Sequence, residues 1–277
     1  MQNFPLSHLP NRSAKPRQSG LTMIMDKGLS VRECEDLVSS SGEIIDIVKL
    51  GFGSSLITPN LDRKLAFFKE AGIPVYFGGT LLEAFIVRGM FDDYLDLLDK
   101  YKVEYAEVSD GSITMPHQEK CHYIKRLAKR VTVISEVGSK EEGILIRPNL
   151  WIEMMQREIE AGVWKVIAEA RESGTVGIFR PNGKAHVTLI NKIVAKIPVE
   201  RIIWETPQKS QQVYFINLFG ANVNLGNIAP NEVIALESLR LGLRSDTFFN
   251  YLDKKMISAK QKELPKEKSE SRAEETL

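Results

Sequence analysis

The sequence predicts an α/β protein with one domain, a (β/α)8 (TIM) barrel spanning residues 20–252. A short apolar run ending near Gly, Asp or Glu recurs eight times, and segments of helical period lie between the runs. Eight βα units close such a barrel, and a span of about 230 residues is near the roughly 250 typical of it. A hydrophobic content of 43% in 277 residues is enough for one sizeable core.

The runs, in order, are "GLTMIMDKG" (20–28), "IDIVKLGFG" (45–53), "PVYFGG" (74–79) and "VEYAEVSDG" (103–111), then "RVTVISEVGS" (130–139), "WKVIAEARESG" (164–174), "RIIWETPQ" (201–208) and "ANVNLGNI" (221–228). The intervening "SVRECEDLVSS", "NLDRKLAFFKEAG", "FDDYLDLLDKY" and "NLWIEMMQREIEAG" place apolar residues at i, i+3, i+4 and i+7, often stopping at glycine. "PNEVIALESLRLGLR" opens with Pro-Asn, a good helix start. An open doubly wound sheet is the alternative, but the first βα turn, "MDKGLS", lacks a G-x-G-x-x-G fingerprint. "GIFRPNGKAHV" (177–187) reads as a β-hairpin inserted on the sixth unit. Residues 1–19 read as a disordered leader, basic at Arg12, Lys15 and Arg17 and without the apolar stretch of a secretory signal. Residues 253–277 read as a charged, disordered tail.

A formal net charge of +1 gives no electrostatic reason for a nucleic-acid or anionic-membrane partner. No apolar run approaches the roughly 18–20 residues that span a bilayer. Cys34 and Cys121 form neither a C-x-x-C motif nor a disulfide framework and read as thiols of a cytoplasmic chain. His117 and His122 stand five apart, a spacing that splays them on a helix and argues against a histidine zinc site.

Alternation along the strands sorts their side chains between barrel and helices. Asp26, Glu107, Glu136, Glu169 and Glu205 fall late in apolar strands, near Lys27, Lys49 and Arg171. A self-satisfied ring of salt bridges is one reading, but buried ion pairs stabilise poorly. Chemistry in this fold sits at the C-terminal strand ends, which favours a site. An excess of acids there suits a divalent cation, and all-oxygen donors suit Mg2+ or manganese; Glu107, Glu136, Glu169 and Glu205 are the expected ligands. Arg171, Ser173, Gly174, Gln208, Lys209, Asn224 and Asn227 are the expected substrate contacts. Those behind strands seven and eight lie where barrels of this kind most often hold phosphate. Lys140 rides the longest loop, after strand five; a proton donor and a solvated surface lysine are equally open there.

Taken in order, "MDKGL", "VKLGFGSS", "GGTLLE", "EVSDG", "SEVGSK", "EARESG", "ETPQKSQQV", "NVNLGNI" and "EVIALESLRLGLRSDTF" resemble the phosphosulfolactate synthase family, over residues 18–249. The resemblance implies a (β/α)8 barrel and a magnesium-dependent lyase that adds sulfite to phosphoenolpyruvate, as in coenzyme M biosynthesis. It implies that Lys140 is the proton donor, with Lys49 and Lys27 the other candidates. The family motif "EVGKK" reads "EVGSK" here, so Lys140 is kept and Ser139 replaces its neighbour; Phe52 stands where archaeal members usually carry tryptophan. Two alternatives stay open: action on another small phosphorylated acid, and a non-catalytic role like that of the plant heat-stress-associated members. The expected partners are phosphoenolpyruvate and sulfite, with no nucleic acid or membrane and with assembly as a homo-oligomer.

Overall fold

All eight predicted runs contain a strand: β1 (Thr22–Asp26), β2 (Ile47–Leu50), β3 (Val75–Phe77), β4 (Tyr105–Val108), β5 (Thr132–Val137), β6 (Val163–Ala168), β7 (Ile202–Glu205) and β8 (Leu225–Ile228). These come from a computed structural model, which describes residues 3–138, 147–170 and 173–261. The strands are parallel and ordered β3-β2-β1-β8-β7-β6-β5-β4. Ladders join every neighbouring pair in that order. β3 and β4 lie side by side and bring the barrel nearly to closure, with no ladder between them among the described residues. Both faces of such a sheet are covered, and the strands are correspondingly almost continuously buried.

The helices are α1 (Val31–Ser41), α2 (Leu61–Glu70), α3 (Gly79–Ile86), α4 (Phe91–Tyr101), α5 (His117–Leu127), α6 (Pro148–Glu160), α7 (Val187–Val194), α8 (Lys209–Phe219), α9 (Val233–Arg240) and α10 (Lys254–Gln261). The β3–β4 connection carries two of them, and α3 starts at the strand end itself. Ser30 and Glu33 form a capping box on α1: the Glu33 amide donates to Ser30 Oγ and the Ser30 amide to Glu33 Oε2. Trp204 on β7 faces outward and stacks on Phe215 and Phe219, which fixes α8 against the wall. The predicted hairpin at 177–187 contracts to a single bridge, Phe179 to Ala185, around a turn in which the Gly183 amide donates to the Arg180 carbonyl. No described helix is long and apolar enough to cross a membrane.

At the N-terminal end of the strands, polar groups floor the barrel. Arg240 is fully buried and donates to the carbonyls of Ala221, Val223 and Leu21. Lys165 donates to the Gln18 and Glu200 carbonyls. Part of the expected leader runs across this floor and is anchored to it. Arg12 Nε lies 2.8 Å from Glu237 Oε1, and Arg17 Nε lies 2.9 Å from Asp46 Oδ1. Lys15 donates to the Gly42 and Ile45 carbonyls. Asp46 in turn accepts the Thr22 amide where β1 begins. At the other terminus, part of the expected tail is the helix α10, and residues 262–277 lie outside the described residues.

Replacing Arg240 with Met should strip three buried carbonyls of their donor. Hydrogen bonds from charged groups contribute about 1.5–3 kcal/mol each, partly offset here by the guanidinium's release from burial. A net loss of roughly 2–4 kcal/mol lowers Tm by roughly 5–15 °C in a domain of this size. Thermal denaturation measures it, and a Tm within a degree of the parent would refute the structural role.

Candidate active site

At the opposite end of the barrel the geometry centres on Lys49. Its Nζ lies 2.9 Å from Glu107 Oε2 and 3.6 Å from both Glu136 Oε2 and Glu205 Oε1. Four strands thus converge on one buried ammonium. Burial by itself lowers its pKa, but Glu107, the neighbouring Tyr76, Glu136 and Glu205 hold it well above the ordinary lysine value. Lys49 is therefore a fixed positive charge at the base of the mouth.

The carboxylates around it differ in what else they do. Glu107 Oε1 accepts the Gly79 amide at 2.7 Å, and its Oε2 accepts the Tyr76 hydroxyl at 3.0 Å as well as Lys49. Tyr76 lies on β3 and Gly79 opens α3, so Glu107 stitches together the two strands that lack a ladder. A Cβ at residue 79 would fall 2.2 Å from Ser109 Oγ and 2.9 Å from Glu107 Oε1, which is why the "GGT" turn carries glycine there. Glu205 Oε2 accepts the Ala170 amide at 3.0 Å, while its Oε1 has no hydrogen-bond donor among the described residues. Burial first, and then the charge of Glu136, raises the Glu205 pKa to about 7. Glu136 and Glu169, both buried, line the same cavity of about 460 Å3.

The structure sorts the other expected residues. Asn227 joins Glu169, Ser173 and Ser112 on that cavity wall, although parity turns it away. The ladder explains this: Thr22 pairs with Leu225 but Ile24 with Ile228, so β8 carries one extra residue. Asn227 takes that bulge with φ of 56°, a left-handed conformation asparagine tolerates. Gln208 Nε2 donates to the Ser173 carbonyl and Gln211 Nε2 to the Gly174 carbonyl, pinning that turn onto the first turn of α8. Lys209 is exposed and paired 2.6 Å from Asp246. Lys27 is exposed at the rim, on an adjoining cavity of about 430 Å3 that shares Met25 and Asn227 with the first. Lys140 and Arg171 lie outside the described residues.

Two expectations are corrected. Asn224 is not a mouth residue: it precedes β8 at the barrel floor, where it accepts the Leu21 amide and donates to the Glu200 and Ile202 carbonyls. Asp26 is not free to hold a ligand. Its Oδ1 accepts the Gly28 and Leu29 amides, and its Oδ2 lies 2.5 Å from the buried Lys64 Nζ. Sequence reasoning passed over Tyr76 and Glu83 and gave Phe52 no place in the site. Tyr76 shares a barrel-facing position one residue from the strand end, and the alternation in "PVYFGG" could have found it. Glu83, buried on α3, accepts Ser109 Oγ and the Gly111 and Ser112 amides. Phe52 lines the cavity with φ of 56°, a strained conformation for a non-glycine residue and one only coordinates reveal.

Charged side chains with mutually shifted ionisation, gathered at the C-terminal end of a (β/α)8 barrel, are the arrangement of a barrel enzyme. The particular family follows from sequence similarity. The model of the (2R)-phospho-3-sulfolactate synthase (ComA) family matches residues 10–246, and the chain belongs to that family. It is 40% identical over 252 residues to the phosphosulfolactate synthase of Bacillus subtilis (strain 168), covering 90% of this chain and 100% of that protein. It is also 40% identical to the phosphosulfolactate synthase of Methanocaldococcus jannaschii, covering 83% of this chain and 94% of that one. Among solved structures, 3-hexulose-6-phosphate synthase from Salmonella typhimurium superposes with a TM-score of 0.53 at 13% identity, over 80% of this chain and 99% of that one, a likeness of fold alone.

The raised Glu205 pKa has a signed consequence. Its folded value of about 7 exceeds the ordinary 4.5, so between these limits the unfolded chain loses the proton first. Each step up in pH through that window then favours unfolding, and above it the penalty is complete. Glu205→Gln should therefore raise Tm in metal-free buffer at pH 8, with the gain shrinking towards pH 5. Melting curves across that range measure it, and a gain that is absent or grows on acidification contradicts the assignment.

Proposed function

We propose that the chain is a phosphosulfolactate synthase that adds sulfite to phosphoenolpyruvate, giving (2R)-phospho-3-sulfolactate with Mg2+ as cofactor. The single observation that carries this is the Lys49-centred carboxylate ring in a chain of this family. Carboxylates outnumber Lys49 at the base of the mouth, which suits a divalent cation there, and the rim carries backbone donors for the phosphate of a small anionic substrate. Sulfite sulfur attacks the methylene carbon, a C–S bond forms, and the π electrons move towards C2 and the carboxylate. C2 then takes a proton, and Lys140 is the proposed donor.

Among the described residues no group of three His, Cys, Asp or Glu side chains is placed to hold a metal ion alone. Magnesium does not require one, because it commonly binds through one or two carboxylates and completes its shell with waters and substrate oxygens. Glu136 and Glu205 fit that use. Their charges oppose each other, and Glu205 Oε1 lacks a hydrogen-bond donor among the described residues. Glu169 adjoins them on the cavity wall. Glu107 is a poor ligand, since Lys49, Tyr76 and Gly79 already engage both its oxygens. When bound, the ion supplies positive charge where the substrate carboxylate becomes more negative. The chain's own part is to bind and orient: the Ser173–Gly174 turn and the start of α8 receive phosphate, and Lys49 holds the opposite end of the substrate.

The purified chain should convert phosphoenolpyruvate and sulfite to phosphosulfolactate, followed by 31P NMR, with activity lost in EDTA and restored by magnesium. Folded protein that forms no product under these conditions overturns the proposal. Turnover of another small phosphorylated acid, with none of phosphoenolpyruvate and sulfite, would favour the alternative of a different phosphorylated acid.

Lys140→Ala should lower kcat by roughly 10²–10⁴, the usual contribution of a positioned general acid, with KM for phosphoenolpyruvate little changed. Lys140→Arg should restore little, because guanidinium is too weak an acid to release a proton near neutral pH. A large rise in KM at constant kcat would instead make Lys140 an anion clamp.

A further inference from the structure

Outside the barrel wall, a second group of buried charges lies between α5, α6 and the strand ends. Lys120 on α5 is fully buried, and its ammonium donates to two oxygens and pairs with a third. These are Asp110 Oδ1 at 2.9 Å in the turn after β4, the Glu136 carbonyl at 2.6 Å on β5, and Glu158 Oε1 at 3.0 Å on α6. His117 Nε2 lies 3.1 Å from the same Glu158 oxygen. On its far side, the turn after β4 is held by Glu83, which accepts the Gly111 amide at 3.0 Å and the Ser112 amide at 2.7 Å. Two buried charges from two helices therefore clamp one turn, and one of them also holds the backbone of Glu136.

Stability alone does not select such an arrangement. Buried ion pairs stabilise poorly against apolar pairs of equal volume, because desolvation offsets their attraction. Here one Glu158 oxygen is also buried without a hydrogen-bond partner among the described residues. An apolar pair would fill the space, but it could not fix the Glu136 carbonyl and Asp110 at set distances from one atom. The residue so fixed is the one whose carboxylate lies 3.6 Å from Lys49. Ser112, at the end of the clamped turn, lines the cavity.

We infer that Lys120 is a positioning residue for the reaction at the mouth. By holding the Glu136 backbone it sets the approach of the Glu136 carboxylate to Lys49, and by holding Asp110 it sets the turn that brings Ser112 to the cavity wall. The kinetic part of this inference rests on the proposed activity, and the structural part does not.

The double variant Lys120→Met/Glu158→Leu removes both charges while roughly keeping volume. Its Tm should stay within roughly 5 °C of the parent's, because release from ion-pair burial offsets the donor lost by the Glu136 carbonyl. Its kcat should fall roughly ten- to a hundredfold, the usual cost of losing a partner that orients a site ligand. KM for phosphoenolpyruvate should stay within about threefold, since the substrate's own contacts remain. A crystal structure of the variant should show the Lys49–Glu136 separation beyond about 4 Å, the limit of an ion pair. Unchanged kcat, a loss of activity matched by loss of folded protein, or unaltered Lys49–Glu136 geometry each overturns the inference. If the parent itself forms no product, the proposed function fails and the crystallographic comparison alone decides the role of Lys120. Should the double variant not fold, Asp110→Asn tests the same clamp at a partly exposed position. It should lower kcat several-fold at constant KM, and a parental kcat would overturn the proposal.

Discussion

The enclosure of one ammonium by carboxylates from three other strands constrains everything else at the mouth. Lys49 cannot leave without exposing Glu107, Glu136 and Glu205 to one another in a buried setting, and none of the three can be lost without weakening its hold. Ion pairs of this kind are poor stabilisers. Glu205 shows the cost, its pKa pushed to about 7 by burial and by Glu136. The fold tolerates this because the strands beneath are packed with apolar side chains. Met23 and Ile203 approach the axis over Gly226, where a Cβ would fall 2.5 Å and 2.9 Å from their side chains. The apolar centre carries the stability, and the charged end carries the chemistry.

The two ends of the barrel use polar residues in opposite ways. At the floor, Arg240, Lys165 and Asn224 direct donors to backbone carbonyls, which are fixed dipoles. At the mouth, charge faces charge, and Glu205 retains an oxygen without a hydrogen-bond donor among the described residues. A side chain tied to backbone dipoles is structural; carboxylates crowded around one ammonium can respond to a ligand. This distinction separates Asn224 from Asn227, two residues of the same type only three positions apart.

How much of this was legible in the sequence depended on whether a single period governed the segment. The eight strands were readable because each is a short apolar run between helical segments, and covering both faces of a parallel sheet demands such runs. Alternation then placed Lys49, Glu107, Glu136 and Glu205 in one ring, since each sits on the barrel-facing parity of its strand. It failed wherever the period broke. The extra residue in β8 turned Asn227 inward against that parity, so its place on the cavity wall, although expected, does not follow from alternation. Asp26 was read as a mouth carboxylate because it ends a strand, although Met25 beside it already occupied the inward parity. Arg12 and Arg17 looked like part of a solvated leader because their partners, Glu237 and Asp46, are remote in sequence. The Lys120 clamp was equally hidden: nothing along α5 distinguishes a lysine that reaches a strand carbonyl from one that reaches water.

The gap between β3 and β4 gives Glu107 two duties at once, because it braces Lys49 and also takes the Gly79 amide and Tyr76 hydroxyl across the seam. A residue bound by two demands leaves selection little room: any replacement must satisfy the architecture before its effect on chemistry can be tried. Divergence towards new substrates in this lineage should therefore bypass Glu107 and gather at Phe52, Ser112 and Ser173, which line the cavity without closing the barrel. On that expectation the seam fixes one side of the mouth and leaves the other open to substitution.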